Sequence, residues 1–373
     1  MRDHFLKRAK RIVVKIGSSL IASKSHGLRL ERIERLAGEI AALKADGRDV
    51  VLVSSGAIVS GISKLGLKTY PTSLPVKQAA AAVGQSRLMW AYEKAFERLG
   101  ERVAQILLTH QDLADRRRFM NSRHTLTALI DFGVVPIINE NDTVAVDEIR
   151  FGDNDALAAQ VAHLIDADLL VILSDVDGLY TADPRLDPSA ALIPLVTDFS
   201  KDLEKRAGGA TSFEGTGGMA TKLQAAKKVA AYGVGTLILN GNRAGLLPAA
   251  LTGDAGGTFF APRDRRLTSR KQWIAFTLKA KGDVTVDEGA REALVRRGKS
   301  LLASGIVRVG GEFSPGDAVR CLDLHGKEFA KGLVNFSSAA LQRIKGLKTA
   351  DIHRTLGRQE YEEVIHRDNL VLL

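Results

Sequence analysis

The sequence of 373 residues contains a single cysteine, Cys321, which excludes an internal disulfide framework and any cysteine-built metal cage. Core filler is the role expected of it. Aromatic residues make up only 5% of the chain, and no interleaved set of them offers a stacking platform for single-stranded RNA. No apolar run approaches the roughly 18 residues that a membrane span needs. The basic start, MRDHFLKRAKRIVVKIG, has a short apolar stretch and no small-residue cleavage site behind it. It reads as a tail entering a strand rather than a signal peptide, so the expected location is cytoplasmic. Ser/His/Asp and Cys/His arrangements are also missing as recognisable motifs, and the eight histidines are scattered.

What is present is ordinary in amount and uneven in distribution. Hydrophobic residues are 45% and charged residues 26%, as in a globular protein, and the length suggests two domains. The net charge is +10, and from Arg263 to the end 21 Lys and Arg stand against 14 Asp and Glu, an excess of seven. A C-terminal basic surplus fits either a nucleic-acid-binding module or a solvated face.

Through the first 260 residues, strand-like and helix-like segments alternate. RIVVKIG (11–17), DVVLVSSG (49–56), RVAQILLT (102–109), VVPIIN (134–139), DLLVILSD (168–175) and GTLILN (235–240) are apolar runs of strand length. Helical spacing predicts helices over 28–44, around 76–99, around 116–131, from about 154 to 166, and after the glycines at 215–218. Continuous apolar strands separated by helices predict an α/β fold, a three-layer αβα sandwich around a mainly parallel sheet. Composition changes near 252–271, where Gly, Pro and a charge run read as a linker. Beyond it, short alternating runs between Gly and Pro-Gly turns predict a small β-rich barrel with one or two short helices. The expected division is a catalytic domain over 1–260, a linker over 261–275 and a C-terminal domain over 276–373.

In open parallel sheets, ligands bind outside the carboxyl ends of the strands. Those ends read KIGSS, SSGA, NEND and SDVDG, all small, polar or charged. The stretch GTGGMATK (215–222) adds a glycine-rich loop before a helix expected to begin near Thr221. It fails the G-x-x-x-x-G-K-[ST] pattern, since Ala220 holds the second glycine position and Leu223 follows Lys222. The physics of an anion site survives: Gly217 and Gly218 free the backbone N–H groups, the helix start adds partial positive charge, and Lys222 adds a full one. Lys15 closes a buried run, which is costly unless it finds an anionic partner or snorkels to the surface. Two lysines on one phosphoryl group, with a metal ion, would meet the charge demand of phosphoryl transfer. Asp153 and Asp155 could neutralise and orient them, or simply cap a helix start. Asn139, Glu140, Asn141, Asp142 and Asn154 form an acid-and-amide cluster suited to a substrate ammonium. No general base is evident, which suits a carboxylate acceptor, already ionised at neutral pH.

VVKIGSS, SSGAI, INENDTVAV, FGDNDALAA, SDVDGLYTADPR and GTGGMATKLQAA, in this order, resemble the glutamate 5-kinases of the amino acid kinase family, and VTVDEGA, GKSLLASGI and FSPGD resemble a PUA domain. The resemblance implies ATP-dependent phosphorylation of the side-chain carboxylate of L-glutamate to L-glutamyl 5-phosphate, the first step of proline biosynthesis. It implies Mg2+ carried by the nucleotide with no protein ligands assigned, a homo-oligomer (tetramer or dimer), feedback inhibition by proline, and channelling to glutamyl 5-phosphate reductase. By motif, Lys15 and Lys222 stabilise the phosphoryl group, Asp155 organises them and Asp153 assists. Ser55, Gly56, Asn139, Asp142 and Asn154 meet the substrate. Ser174, Asp175, Thr216, Gly217, Gly218, Met219, Ala220, Thr221 and Lys222 meet ATP, with Ser174 where the family often has Thr. Kinases of the same family acting on carbamate, acetylglutamate, aspartate or UMP are the nearest alternatives, and RNA binding by the PUA domain is the alternative of another class.

Overall fold

The computed structural model describes every residue except 1, 24–26, 146–153, 201–202, 204–217, 254–255, 263–270, 272–273, 276–277 and 358–361. It divides into two compact units, Met1–Arg266 and Leu267–Leu373. The strands of the first are β1 (Arg11–Ile16), β2 (Ala22–Ser23), β3 (Gly27–Leu28), β4 (Asp49–Ser54), β5 (Val103–Leu108), β6 (Val135–Glu140), β7 (Leu169–Ser174), β8 (Leu195–Val196), β9 (Gly235–Asn240) and β10 (Thr258–Phe260). Its helices are α1 (Arg2–Arg8), α2 (Ser18–Ile21), α3 (Leu30–Ala45), α4 (Ala57–Lys64), α5 (Leu74–Glu97), α6 (His110–Ala114), α7 (Arg116–Asp131), α8 (Asn154–Leu164), α9 (Met219–Ala230) and α10 (Leu246–Thr252).

Eight strands form one sheet in the order β5-β6-β4-β1-β7-β9-β10-β8. The six from β5 to β9 in that order are parallel, and β10 runs antiparallel to β9. Helices cover both faces because both faces are apolar: α3, α5 and α10 lie on one, α7, α8 and α9 on the other. Side chains alternate along a strand, so Ile12, Val14 and Ile16 enter the cluster that holds Ile33, Leu36 and Ile40 of α3. Val13 and Lys15 therefore face the α8 side. This alternation aims the one lysine of β1 at a helix start.

Several local expectations need correction. The basic start is not a plain tail: RDHFLKR forms α1, held down by the fully buried Leu6. Thr258–Phe260 is not linker but strand β10, with Phe259 and Phe260 fully buried, so apolar pairing outweighs the surrounding Gly and Pro. The helix after the glycine loop begins at Met219, not Thr221, with Gly218 in the N-cap position.

The second unit holds a five-stranded sheet ordered β12-β11-β13-β14-β15, from β11 (Gly282–Val286), β12 (Ile306–Gly311), β13 (Ala318–Leu322), β14 (Glu328–Leu333) and β15 (Leu370–Leu372). Its pairs are antiparallel except β11 with β13. Helices α11 (Glu288–Val295), α12 (Ser338–Ile344) and α13 (Thr349–Leu356) accompany the sheet. Cys321 is fully buried in this core among Val284, Val319 and Ala330.

Candidate active site

Strand β1 pairs with β4 on one side and β7 on the other, so the chain leaves the first strand in one direction and later returns to its opposite flank. A crevice opens at the carboxyl ends around such a reversal. Register puts Ile16, Ser54 and Leu173 on one level there, with Lys15 one residue deeper.

Lys15 does not snorkel. It is 6% exposed, and its Nζ lies 2.5 Å from Oδ1 of Asp155 in the first turn of α8. Lys222, also 6% exposed, reaches the other oxygen of the same carboxylate at 3.2 Å. Thr221 donates its hydroxyl to Asp155 Oδ2 at 2.9 Å. Burial alone would raise the Asp155 pKa. The charges of Lys15 and Lys222, with hydrogen bonds from Lys15 and Thr221, outweigh burial and hold it at about 2. The result is a buried triad of two ammonium groups and one carboxylate, one positive charge in excess. Its cations come from residues more than 200 positions apart, one on a strand and one on a helix.

Beside the triad lies a pocket lined by Ser18, Ser55, Gly56, Tyr70, Asn139, Glu140, Asp142 and Asn154, among others. Gly56 enters α4 with φ of +100°, a left-handed conformation that glycine adopts without strain. Asn154 Nδ2 lies within 2.9 Å of three acceptors: Ser54 O, Ser55 Oγ and Asn139 Oδ1. Burial pushes the Asp142 carboxyl up to about 6, and no cation pairs with it among the described residues. A substrate ammonium would fill that need.

On the far side of the triad, Ser174 donates to Asp175 Oδ1 at 3.1 Å at the end of β7, and Asp177 is held by Arg243 at 2.9 Å and Asn240 at 3.2 Å. Gly218, Met219, Ala220 and Thr221 form the start of α9. Asp153, Thr216 and Gly217 lie outside the described residues. Both oxygens of Asp155 are taken by lysines, so a divalent cation there would have to displace an ammonium group. No cluster of three or more His, Cys, Asp or Glu able to hold a metal is present among the described residues.

Sequence reasoning missed Tyr70, Gln85 and Tyr92. Tyr70 sits in the polar stretch KTYPTS, where nothing marks it. Gln85 and Tyr92 lie in an Ala-rich helix that reads as packing alone, and only their spacing of seven hints at a shared face.

The sequence profile described as "Amino acid kinase family" matches residues 10–240, and that of the PUA domain matches residues 282–356. The chain belongs to the amino acid kinase family and is a kinase with a C-terminal PUA domain. A solved carbamate kinase from Giardia lamblia bound to AMP-PNP shares the fold, with a TM-score of 0.50 and 20% identity over 69% of this chain and 100% of that one. Far closer in sequence are proteins named glutamate 5-kinase. Those of Geobacter sulfurreducens and Geobacter metallireducens are 53% and 54% identical, each over 100% of both chains. That of Moorella thermoacetica is 50% identical over 99% of this chain and 97% of its own. Within the amino acid kinases, the chain therefore belongs to the glutamate 5-kinases.

Proposed function

We propose that this protein transfers the γ-phosphoryl group of ATP to the side-chain carboxylate of L-glutamate, giving L-glutamyl 5-phosphate and ADP, the first step of proline biosynthesis. The observation that carries this reading is the meeting of Lys15 and Lys222 on Asp155 beside a pocket of amides and one uncompensated carboxylate. A carboxylate oxygen attacks the γ-phosphorus, the bond to the β,γ-bridging oxygen breaks, and no proton need be removed. Lys15 and Lys222 place their charge where the equatorial oxygens of the moving group accumulate it. Asp155 holds the two ammonium groups in place, and Asp153 assists it. Ser174, Asp175 and the run Thr216 to Lys222 hold the nucleotide. Mg2+ bound to the ATP phosphates supplies further neutralisation.

On the acceptor side, Asp142 takes the substrate ammonium, and Ser55, Gly56, Asn139 and Asn154 shape the carboxylate end. An N-acetylated acceptor has no ammonium to offer Asp142, which favours free glutamate. Proline carries the same α-ammonium and α-carboxylate, which supports feedback inhibition at an overlapping position. Val76 and Trp90 stand exposed on α5 and support assembly as a homo-oligomer. Channelling of the labile acyl phosphate to glutamyl 5-phosphate reductase, and a cytoplasmic location, complete the reading.

The test is ADP release with and without glutamate, with hydroxylamine present to trap an acyl phosphate as the hydroxamate. Glutamate-dependent ADP release with matching hydroxamate is the expected result. ADP release independent of glutamate, or release on aspartate or acetylglutamate instead, would overturn the acceptor assignment.

A further inference from the structure

Helix α5 does more than cover the sheet. It lies backbone to backbone on α4: a Cβ on Gly84 would fall 1.8 Å from Ala57 O, and one on Gly61 would fall 1.7 Å from Ala80 O. From this fixed seat, Tyr92 and Gln85, seven residues apart and so on one face, reach the ends of two neighbouring strands. Tyr92 Oη lies 2.9 Å from Ser54 Oγ at the end of β4. Gln85 Oε1 accepts from Asn139 Nδ2 at 2.9 Å at the end of β6.

The second contact belongs to a directional chain. The backbone N–H of Glu140 can only donate, and it donates to Asn139 Oδ1 at 2.9 Å. The amide nitrogen of Asn139 must then face Gln85, and Gln85 must answer with its carbonyl oxygen. Its own amide nitrogen donates to Gln105 Oε1 at 3.1 Å. Asn139 Oδ1, so oriented, also accepts from Asn154 Nδ2, and Asn154 in turn donates to Ser55 Oγ at 2.8 Å. With its oxygen already accepting, the Ser55 hydroxyl has its hydrogen left to donate, and the pocket lies beside it.

We propose that Gln85 is a positioning residue for the acceptor pocket: through Asn139 and Asn154 it fixes the direction of the Ser55 hydroxyl, so that this group donates to a substrate carboxylate. Gln85 itself touches no reacting atom. Without its carbonyl, Asn139 loses the partner of its amide nitrogen; its oxygen still accepts from the Glu140 N–H, but the side chain is held from one end only. Asn154 keeps Ser54 O and Ser55 Oγ as acceptors but packs against a less firmly held Asn139, and the direction imposed on the Ser55 hydroxyl loosens. The inference rests on the glutamate kinase reading.

The experiment is a double-mutant cycle on the full-length enzyme by coupled ADP release, with the wild type run first. Wild type lacking glutamate-dependent turnover would sink the kinase reading and this proposal with it. Given normal wild-type turnover, Gln85→Met should raise the glutamate KM about tenfold, as expected for one lost part-buried hydrogen-bond partner, and leave the ATP KM within about twofold. Gln85→Glu, whose carboxylate oxygen still accepts from Asn139, should recover most of the loss. In a Ser55→Ala background the Met change should add less than about twofold, because the group it orients is gone. A merely structural role predicts the full effect in both backgrounds. An unchanged glutamate KM, equal effects with and without Ser55, or no recovery by Glu overturns the proposal while leaving the reaction intact. If Gln85→Met melts well below the wild type, Gln85→Ala, a good helix former at this half-exposed position, replaces it in the cycle.

Discussion

A lysine ammonium held beside a carboxylate in a buried site is already desolvated, so its charge acts on a bound phosphate with little screening. In the Lys15–Asp155–Lys222 triad the carboxylate spends its charge on two cations, which leaves each of them only partly neutralised. A phosphoryl group in flight, spreading charge over its equatorial oxygens, is the partner that can draw on both. Removing Lys222 should therefore hurt the transition state far more than the ground state. Lys222→Ala is expected to lower kcat by about a hundredfold or more, the scale seen when a preorganised donor is lost, with a much smaller change in the glutamate KM. A normal kcat, measured by coupled ADP release, would remove Lys222 from the transition state. Both lysines were legible in the sequence, one for closing an apolar run and the other for following a glycine loop. From the local pattern Asp155 was legible as one of two aspartates that could orient the lysines or equally cap a helix, and the family resemblance alone pointed to it as the organiser. Its complete burial against both lysines is a tertiary fact. Tyr70, Gln85 and Tyr92 were not legible, because each acts through a neighbour distant in sequence.

Helix α8 shows how one element can serve two chemistries. Successive residues on a helix point about 100° apart, so Asn154 turns to the acceptor pocket and Asp155 to the lysines. Apart from half-buried Ala156, the remainder of α8 is buried as well, His163 near its end included. His163 stacks on Tyr232 at 4.4 Å between centroids and meets Phe119 at 5.5 Å. Neither of its ring nitrogens has a hydrogen-bond partner among the described residues. Burial, opposed by Asp166 and reinforced by Arg123, lowers its pKa to about 4. The folded state thus keeps it neutral, while the unfolded chain protonates it near pH 6.5. Its contribution to stability is complete above pH 6.5 and is lost as pH falls from there toward 4. His163→Phe keeps the stacked ring and removes the titration. Denaturant unfolding at pH 7 and pH 4.5 should show wild type losing about 2 kcal/mol more than the variant over that interval. Parallel losses in both would refute the account. At this scale, long periodic segments such as α3, α7 and the six parallel strands could be read from their apolar patterns. Strands β8 and β10 could not, being two and three residues long, β8 directly after Pro194 and β10 directly after a glycine-rich stretch. Pairing with a finished sheet makes them strands, and no local pattern announces that.

Across the whole molecule, charge is the property most open to over-reading. The C-terminal excess of seven positive charges invites an RNA partner for the PUA domain. The second unit, taken by itself, argues for a weak one. Many of its cations are interleaved with acids: Arg320 forks onto Asp283 at 2.5 and 2.9 Å, Lys281 meets Asp317 at 2.9 Å, and Arg291 meets Glu288 at 2.7 Å. Phe313, Phe329 and Phe336 are all buried in its core, so none of the three can stack on a base. Among the described residues, contact with RNA would then rest on phosphate charge, and such contact is sequence-independent and steeply salt-dependent. Titration of bulk tRNA with the full-length protein should give dissociation constants no tighter than the micromolar range at physiological salt, the ordinary non-specific level. Log affinity should fall linearly with log salt, and saturating tRNA should leave glutamate-dependent ADP release unchanged. Tight binding that survives added salt would require base readout, and with it an RNA-recognising role that the buried phenylalanines and paired cations of this unit argue against.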